Sequence, residues 1–158
     1  MKVAIIGGGA AGFFAAISCK QHHPNAQVHL IEKTKKTLGK VKISGGGRCN
    51  VTNACESISE FSRAYPRDEK LLKRAFHRFN NKDTMTWFES RGVPLVVQED
   101  DCVFPQSQDS QSIIDCFLQE AKRLGISIKT GIGVTSLKSI DSKIELAFTE
   151  NIPSRTFD

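Results

Sequence analysis

Residues 3–6 form a short, continuously apolar run that breaks into Gly7-Gly8-Gly9-Ala10-Ala11-Gly12, and a second apolar run closes on Glu32, twenty residues after Gly12. A strand that must turn sharply, let its backbone approach a pyrophosphate and then start a helix packed tightly on a sheet needs a glycine at each of three places. Gly7, Gly9 and Gly12 fill them. The helix that follows presents unpaired N–H groups and the positive end of its dipole, so residues 10–13 are expected to form an anion-binding turn. A carboxylate at Glu32 is placed to accept hydrogen bonds from ribose hydroxyls. Together these features read as a site for an ADP group. The fingerprint by itself fits NAD(P) as well as FAD.

The periodicity around this motif predicts a strand, helix, strand unit. The helix covers 10–22, with Ala11, Ala15 and Ala16 as small residues that permit close approach to the sheet, and Pro24 ends it. The second strand covers 27–32, and the crossover is expected to be right-handed. Further along, Leu71, Leu72, Ala75, Phe76 and Phe79 recur at helical spacing and predict a surface helix from Asp68 with one buried stripe. A second helix is predicted over 83–91, stopped by Gly92 and Pro94, with Met85, Trp87 and Phe88 as core residues. Residues 95–104 read as a hairpin around a turn at 99–101. Residues 112–124 read as an amphipathic helix with a capping-box-like start at Ser112 and a stop at Gly125. Residues 126–130 are expected as a third parallel strand beside the first, and 134–138 with 143–148 as an antiparallel pair.

At 158 residues the chain suits about one domain and can bury roughly two thirds of its unfolded surface, enough for one sizeable core. No repeat, low-complexity tract or linker interrupts it. Cys19, Cys49, Cys55, Cys102 and Cys116 are odd in number and contain no CxxC pair, which argues against a disulfide framework and a zinc knuckle. Reduced thiols in a cytoplasm are the expectation. After Met1 and Lys2 only four apolar residues precede the glycines, too few for a signal-peptide core or a membrane span. The sequon at Asn50-Val51-Thr52 is therefore read as coincidence. His22, His23, His29 and His77 share no metal-ligand spacing, so no metal is expected.

The net charge of +5 is concentrated at the start, where residues 1–50 hold eight Lys or Arg against one acid. Lys33, Lys35, Lys36, Lys40, Lys42 and Arg48 fall between Glu32 and the end of a second glycine cluster, and such a focused field suits a pyrophosphate or another polyanion. Lys35 and Lys36 read as a solvated loop. The cations lack interleaved aromatics, which argues against single-stranded nucleic acid. The second cluster, Gly45-Gly46-Gly47, lets backbone N–H groups converge on an anion, with Arg48 adding a fork of donors and Asn50 able to donate and accept.

The segments GGGAAG at 7–12, Glu32-Lys33, GKVKISGGGRCNVTN at 39–53, VFP at 103–105 and the 125–137 region resemble the BaiN/RdsA-like NAD(P)/FAD-dependent oxidoreductases, which include aminoacetone oxidase-like flavoproteins. The 39–53 motif is long and chemically unusual, and the likeness spans nearly the whole chain. It implies an α/β Rossmann-like FAD-binding fold, a parallel sheet with an added antiparallel β-hairpin, truncated here. Residues 1–158 would be the N-terminal part of an FAD/NAD(P)-binding domain, without the substrate domain and the C-terminal segment that closes on the flavin. By the same resemblance Gly7, Gly9, Ala11, Gly12, Glu32 and Lys33 would serve the ADP portion of FAD. Lys40, Ser44, Gly45, Gly46, Gly47, Arg48 and Asn50 would serve the pyrophosphate, ribityl chain or ring surroundings. The backbone of Val134 would meet adenine.

The activity so implied is hydride transfer through flavin between a small-molecule substrate and a second partner, with NAD(P)H as a possible electron donor. No side-chain nucleophile is expected. Arg48 or nearby backbone donors would stabilise negative charge on reduced flavin. Cys49, beside the glycines and Arg48 but without a partner cysteine, reads as a packing residue. The alternatives are a non-catalytic nucleotide-binding module and a fragment of an NAD(P)-dependent dehydrogenase.

Overall fold

The structure, a computed structural model, describes residues 1–149 and 152–158. It divides into two compact units, Met1–Lys40 with Phe117–Asp158, and Val41–Cys116.

The first unit is built on a parallel sheet of β1 (Lys2–Ile6), β2 (Gln27–Glu32) and β6 (Ser127–Thr130) in the order β1-β2-β6. Between the first two strands runs α1 (Ala10–His22). Alternation along β2 sends neighbouring side chains to opposite faces of the sheet. Leu30 is fully buried and lies on the α1 side, where a β-carbon on Gly12 would come 3.3 Å from its Cδ1. The Phe13 ring, also fully buried, is centred 5.9 Å from that of Phe117, in the C-terminal part of α6 (Gln111–Arg123). On the opposite face Ile31 packs with Leu146 and Phe157. These last two belong to an antiparallel sheet of β7 (Val134–Ile140), β8 (Lys143–Phe148) and β9 (Arg155–Phe157), bulged between Val134 and Ser136. The result is a Rossmann-like α/β layering with an added antiparallel layer.

Two expectations about this unit change. The third parallel strand lies beside the second, with His29 opposite Ser127 and Glu32 opposite Thr130, and not beside the first. The outer edge of β1 is occupied at Lys2, whose N–H donates to Asp158 Oδ2 at 2.7 Å and whose carbonyl accepts the Asp158 N–H at 2.9 Å. The antiparallel hairpin also gains a third strand, β9, that its sequence pattern did not predict.

The second unit holds β3 (Thr52–Asn53), β4 (Leu95–Val97) and β5 (Cys102–Pro105) in an antiparallel sheet of order β3-β5-β4. The hairpin expected at 95–104 is thus present, and the end of the 39–53 segment is its third strand. That segment begins as α2 (Gly39–Ile43) and continues through a 3-10 turn over Ser44–Gly47. Helix α5 (Asn81–Glu89) packs on β3 and β4, while α3 (Ile58–Arg63) and α4 (Glu69–Phe76) pack on each other.

Helix α4 has no buried residue, and Leu71 is 65% exposed, so the predicted stripe is not a buried one. Phe76 on it meets the Phe61 and Tyr65 rings, whose centroids lie 4.7 and 5.5 Å from its own. Helix α5 starts two residues earlier than predicted, because Asn80 and Asp83 form a capping box. Of its aromatics Phe88 is core, whereas Trp87 is half-buried beneath the Arg91 guanidinium at 4.0 Å. Helix α6 starts at Gln111, whose N–H donates to Asp109 Oδ1 at 2.9 Å, and not at Ser112. Its Leu118 is 37% exposed rather than core.

Candidate functional site

The parallel strands β1, β2 and β6 end at one edge of their sheet, where open α/β sheets place ligands. Gly7 there has φ +109°, a conformation that favours glycine, and its N–H donates to the Ile31 carbonyl at 2.8 Å. A β-carbon on Gly12 would overlap the Gly7 carbonyl oxygen, so this glycine sets the closeness of helix to strand. Gly9 is the N-cap of α1, with no side-chain cap and nothing within 4 Å of a β-carbon built on it. Ala10 and Ala11 are exposed on the first turn. The N-terminal amides of α1 thus face open space beside Gly9, and the dipole favours an anion there.

Glu32 is held firmly. Its Oε2 accepts the Gly8 N–H at 2.7 Å, and its Oε1 accepts the Thr34 N–H and lies 2.8 Å from the Thr34 hydroxyl. The Thr34 N–H first, then the Gly8 N–H, the Thr34 hydroxyl and the charge of Lys33, hold its carboxyl below the ordinary glutamate range. It is therefore an ionised acceptor at neutral pH. Lys33 is exposed, and the 131–133 segment runs alongside, with the Ile132 N–H donating to the Glu32 carbonyl at 3.0 Å and the Gly131 N–H to that of Thr34 at 2.9 Å. This brings Val134, the first residue of β7, to the same edge. Gly7, Gly9, Ala11, Gly12, Glu32, Lys33 and Val134 therefore gather in the first unit. Lys40 belongs to that unit and is exposed on α2.

Sequence reasoning passed over Gly8 and Thr34. A β-carbon on Gly8 would come 2.9 Å from Glu32 Cβ and from Thr37 Cγ2, so Gly8 is the glycine that admits the acid. A threonine two residues after the acid was the available signal, since its N–H and hydroxyl both reach back to a carboxylate.

Ser44, Gly45, Gly46, Gly47, Arg48 and Asn50 lie in the second unit, on a turn with φ of +55°, +67° and +88° at the three glycines. Gly45 is packed, since a β-carbon would come 2.6 Å from the Asn50 nitrogen and 2.9 Å from Phe104 Cε1. Gly46 and Gly47 are open. The Ser44 hydroxyl donates to the Val41 carbonyl at 2.9 Å, and the Gly47 carbonyl accepts the Ser110 N–H at 2.9 Å. Arg48 lies 4.1 Å over the Phe104 ring and donates to Gln108 Oε1 at 3.2 Å. Its Nε also donates to the Gly45 carbonyl at 3.4 Å, which holds the guanidinium beside the glycines. Lys42 reaches Asp109 Oδ1 at 3.4 Å, so part of its charge is already balanced.

Cys49 is buried, and burial pushes its thiol up, as suits a packing residue. Asn50 is exposed and lines a cavity of about 550 Å³ with Thr52, Cys55, Glu60, Phe61 and Tyr65.

The sequence matches the family described as HI0933-like protein Rossmann domain over residues 1–156. It is 29% identical over 137 residues to the 3-dehydro-bile acid delta(4,6)-reductase of Clostridium scindens, covering 87% of this chain and 32% of that protein. It is 28% identical over 152 residues to the ribosomal RNA dihydrouridine synthase of Escherichia coli, covering 96% of this chain and 36% of that protein. The chain thus spans about a third of the length of the curated relatives it matches. Among solved structures, the open conformation of a flavocytochrome c3 fumarate reductase superposes with a TM-score of 0.67 at 23% identity, covering 92% of this chain and 30% of that one. At that identity the likeness is one of fold.

Proposed function

The chain belongs to the family of HI0933-like protein Rossmann domains, and from that premise we propose that it carries the FAD-holding part of a flavin-dependent oxidoreductase. The observation that carries this reading is the open space at Gly9, bounded by the first turn of α1 and the fixed Glu32 carboxylate. A side chain on Gly9 would fill the room a pyrophosphate needs, and no atom of the described residues lies within 4 Å of its β-carbon position. The residues therefore suit the group. Gly7, Gly9, Ala11 and Gly12 form the phosphate turn, Glu32 accepts the ribose hydroxyls, Lys33 adds positive charge, and the Val134 backbone meets adenine. Lys40, Ser44, Gly45, Gly46, Gly47, Arg48 and Asn50 serve the pyrophosphate, ribityl chain or ring surroundings. Asn50 also borders the 550 Å³ cavity, which we assign to an unsaturated small-molecule substrate.

When bound, the flavin supplies hydride transfer. The chain's own part is electrostatic. Arg48, held by Phe104 and Gln108, presents fixed positive charge without reorganising, and the α1 amides neutralise phosphate charge. The names of the two relatives, a delta(4,6)-reductase and a dihydrouridine synthase, favour reduction of a carbon–carbon double bond as the whole protein's reaction. NAD(P)H is the proposed electron donor, and a cytoplasm with reduced thiols the proposed setting. No disulfide links the described residues, and no helix among them is long and apolar enough to cross a membrane.

Calorimetric titration of FAD, ADP and NADH into the chain tests the reading. FAD is expected to bind more tightly than ADP, with Gly9→Val abolishing both. Equal affinities for FAD and ADP would favour a nucleotide-binding module without a flavin site, and tighter NADH binding a dehydrogenase fragment. A folded chain that takes up none of the three would overturn the proposal.

A further inference from the structure

A second cavity, of about 280 Å³, opens in the first unit on the sheet face opposite α1. Ile31, Phe148 and Phe157 give it apolar walls, and His29, Lys129 and Arg155 are its polar lining; no carboxylate lines it among the described residues. Alternation on β2 puts His29 on the same face as Ile31, and the β2–β6 register sets Lys129 directly beside Ile31. The His29 ring meets Phe157 edge-on, with centroids 5.7 Å apart and planes at 77°. Its Nε2 is buried and has no hydrogen-bond partner among the described residues. Buried polar atoms are nearly always satisfied, and an orphan of this kind calls for an explanation.

We infer that this cavity is a binding site for a small monocarboxylate with a short apolar tail, the carboxylate taken by His29, Lys129 and Arg155 and the tail by the isoleucine and phenylalanine walls. Two cations beside an orphaned imidazole nitrogen select an anion over a neutral polar group. The apolar remainder selects against sulfate or phosphate, whose oxygens would be stripped of water on every side. The volume falls just below the usual range of about 300–1,000 Å³ for ligand pockets, which suits a small molecule rather than a nucleotide. The inference is independent of the nucleotide reading, because none of these three polar side chains is assigned there.

The charged groups facing His29 are Lys2 on β1, Lys129 on β6 and Arg155 on β9. Burial first, and then these cations, hold the imidazole below its ordinary histidine value. A carboxylate arriving in the cavity offsets the three cations and favours the protonated ring. Binding must then take up a proton and strengthen as pH falls from 8 to 6, a range in which the ligand itself stays ionised.

The test is titration of the folded 158-residue chain with hexanoate, hexan-1-ol and hexylammonium, followed by calorimetry and by the His29 ring proton signals in NMR. Hexanoate is expected to bind about tenfold more tightly than hexan-1-ol, with hexylammonium not binding, and Arg155→Gln and His29→Gln are each expected to weaken hexanoate about tenfold. The pH dependence should vanish in His29→Gln. Thermal melts of each variant establish that it is folded. Saturating ADP should leave hexanoate affinity unchanged. Absent hexanoate binding, equal binding of the alcohol, insensitivity to both substitutions or displacement by ADP would each overturn the inference, whatever the outcome for FAD.

Discussion

Gly12 and Gly9 sit three residues apart in one glycine turn, yet opposite consequences are expected from the same substitution. A β-carbon on Gly12 would overlap the Gly7 carbonyl oxygen and come 3.1 Å from the Gly7 carbonyl carbon. Both neighbours are backbone, so relief requires moving α1 away from β1. That movement strains the Gly7 N–H bond to Ile31 at 2.8 Å and the Phe13 N–H bond to Gly9 at 3.0 Å. Alanine's helix propensity returns about 1 kcal/mol. Overpacking costs about 1–3 kcal/mol, and each weakened backbone bond about 1 kcal/mol more. The net is a destabilisation of roughly 2–4 kcal/mol, or about 4–16 °C in Tm for a chain of this size. Gly9→Ala meets no atom within 4 Å and keeps an N-cap φ of −87° that alanine adopts freely, so its cost stays within about 1 kcal/mol. Thermal melts by circular dichroism give the first comparison and FAD titration the second. Gly12→Ala should lower Tm by several degrees more than Gly9→Ala, whereas Gly9→Ala should weaken FAD while the fold persists. The reasoning fails if the two variants melt together, or if Gly9→Ala retains full FAD affinity.

Glu32→Gln should cost about 1 kcal/mol at neutral pH, since two backbone N–H groups lose a charged acceptor. Because the folded carboxyl lies below its unfolded value, this stability is present above the unfolded pKa of about 4.3 and lost as pH falls through the depressed folded one. Urea melts of parent and variant should therefore converge on acidification below pH ~4. Asn80→Ala removes the α5 capping box and should lower stability by about 1 kcal/mol without altering FAD affinity, as read by the same melts and titrations. Cys49 should alkylate at least about tenfold more slowly than the partly exposed Cys19 until denaturant is added, as followed by peptide mass spectrometry.

The parts of the fold that were legible are those whose cause is local. Strand, glycine turn, helix and acid all follow from steric demands within 32 residues, and β1, α1 and β2 stand where the pattern predicts. The hairpin at 95–104 carries its own alternation and turn. What was illegible depends on partners distant in sequence. β9 is three residues long and exists because Ile144, Glu145 and Leu146 offer it an edge. β3 is two residues long and is drawn out by Cys102 and Val103. The neighbour of the third parallel strand was a choice between two sheet edges, which no hydrophobic pattern encodes. In α4 the periodicity marks the apolar side but not its burial, because amphipathicity says nothing of how much protein covers that side.

Glu32 shows the same division at one residue. Its distance from Gly12 made it a candidate ribose acceptor, but did not reveal the three contacts that fix its carboxylate to Gly8 and Thr34. Those bonds change the physical argument. A mobile glutamate would lose rotamer freedom on meeting a ribose, at a cost of up to about 1.5–2 kcal/mol. Here that ordering has occurred in folding, and the acceptor is ionised and oriented before any ligand arrives. The Gly8 bond also ties the acid to the glycine next to the phosphate turn, so a change at Thr34 should be felt at Gly9. Thr34→Val deletes the hydroxyl at nearly constant shape and leaves the backbone bond in place. It should weaken FAD and ADP by the same factor, since both carry the adenosine ribose, while leaving the Arg48 side of the chain untouched. A loss confined to FAD would place Glu32 away from the ribose and undo the assignment.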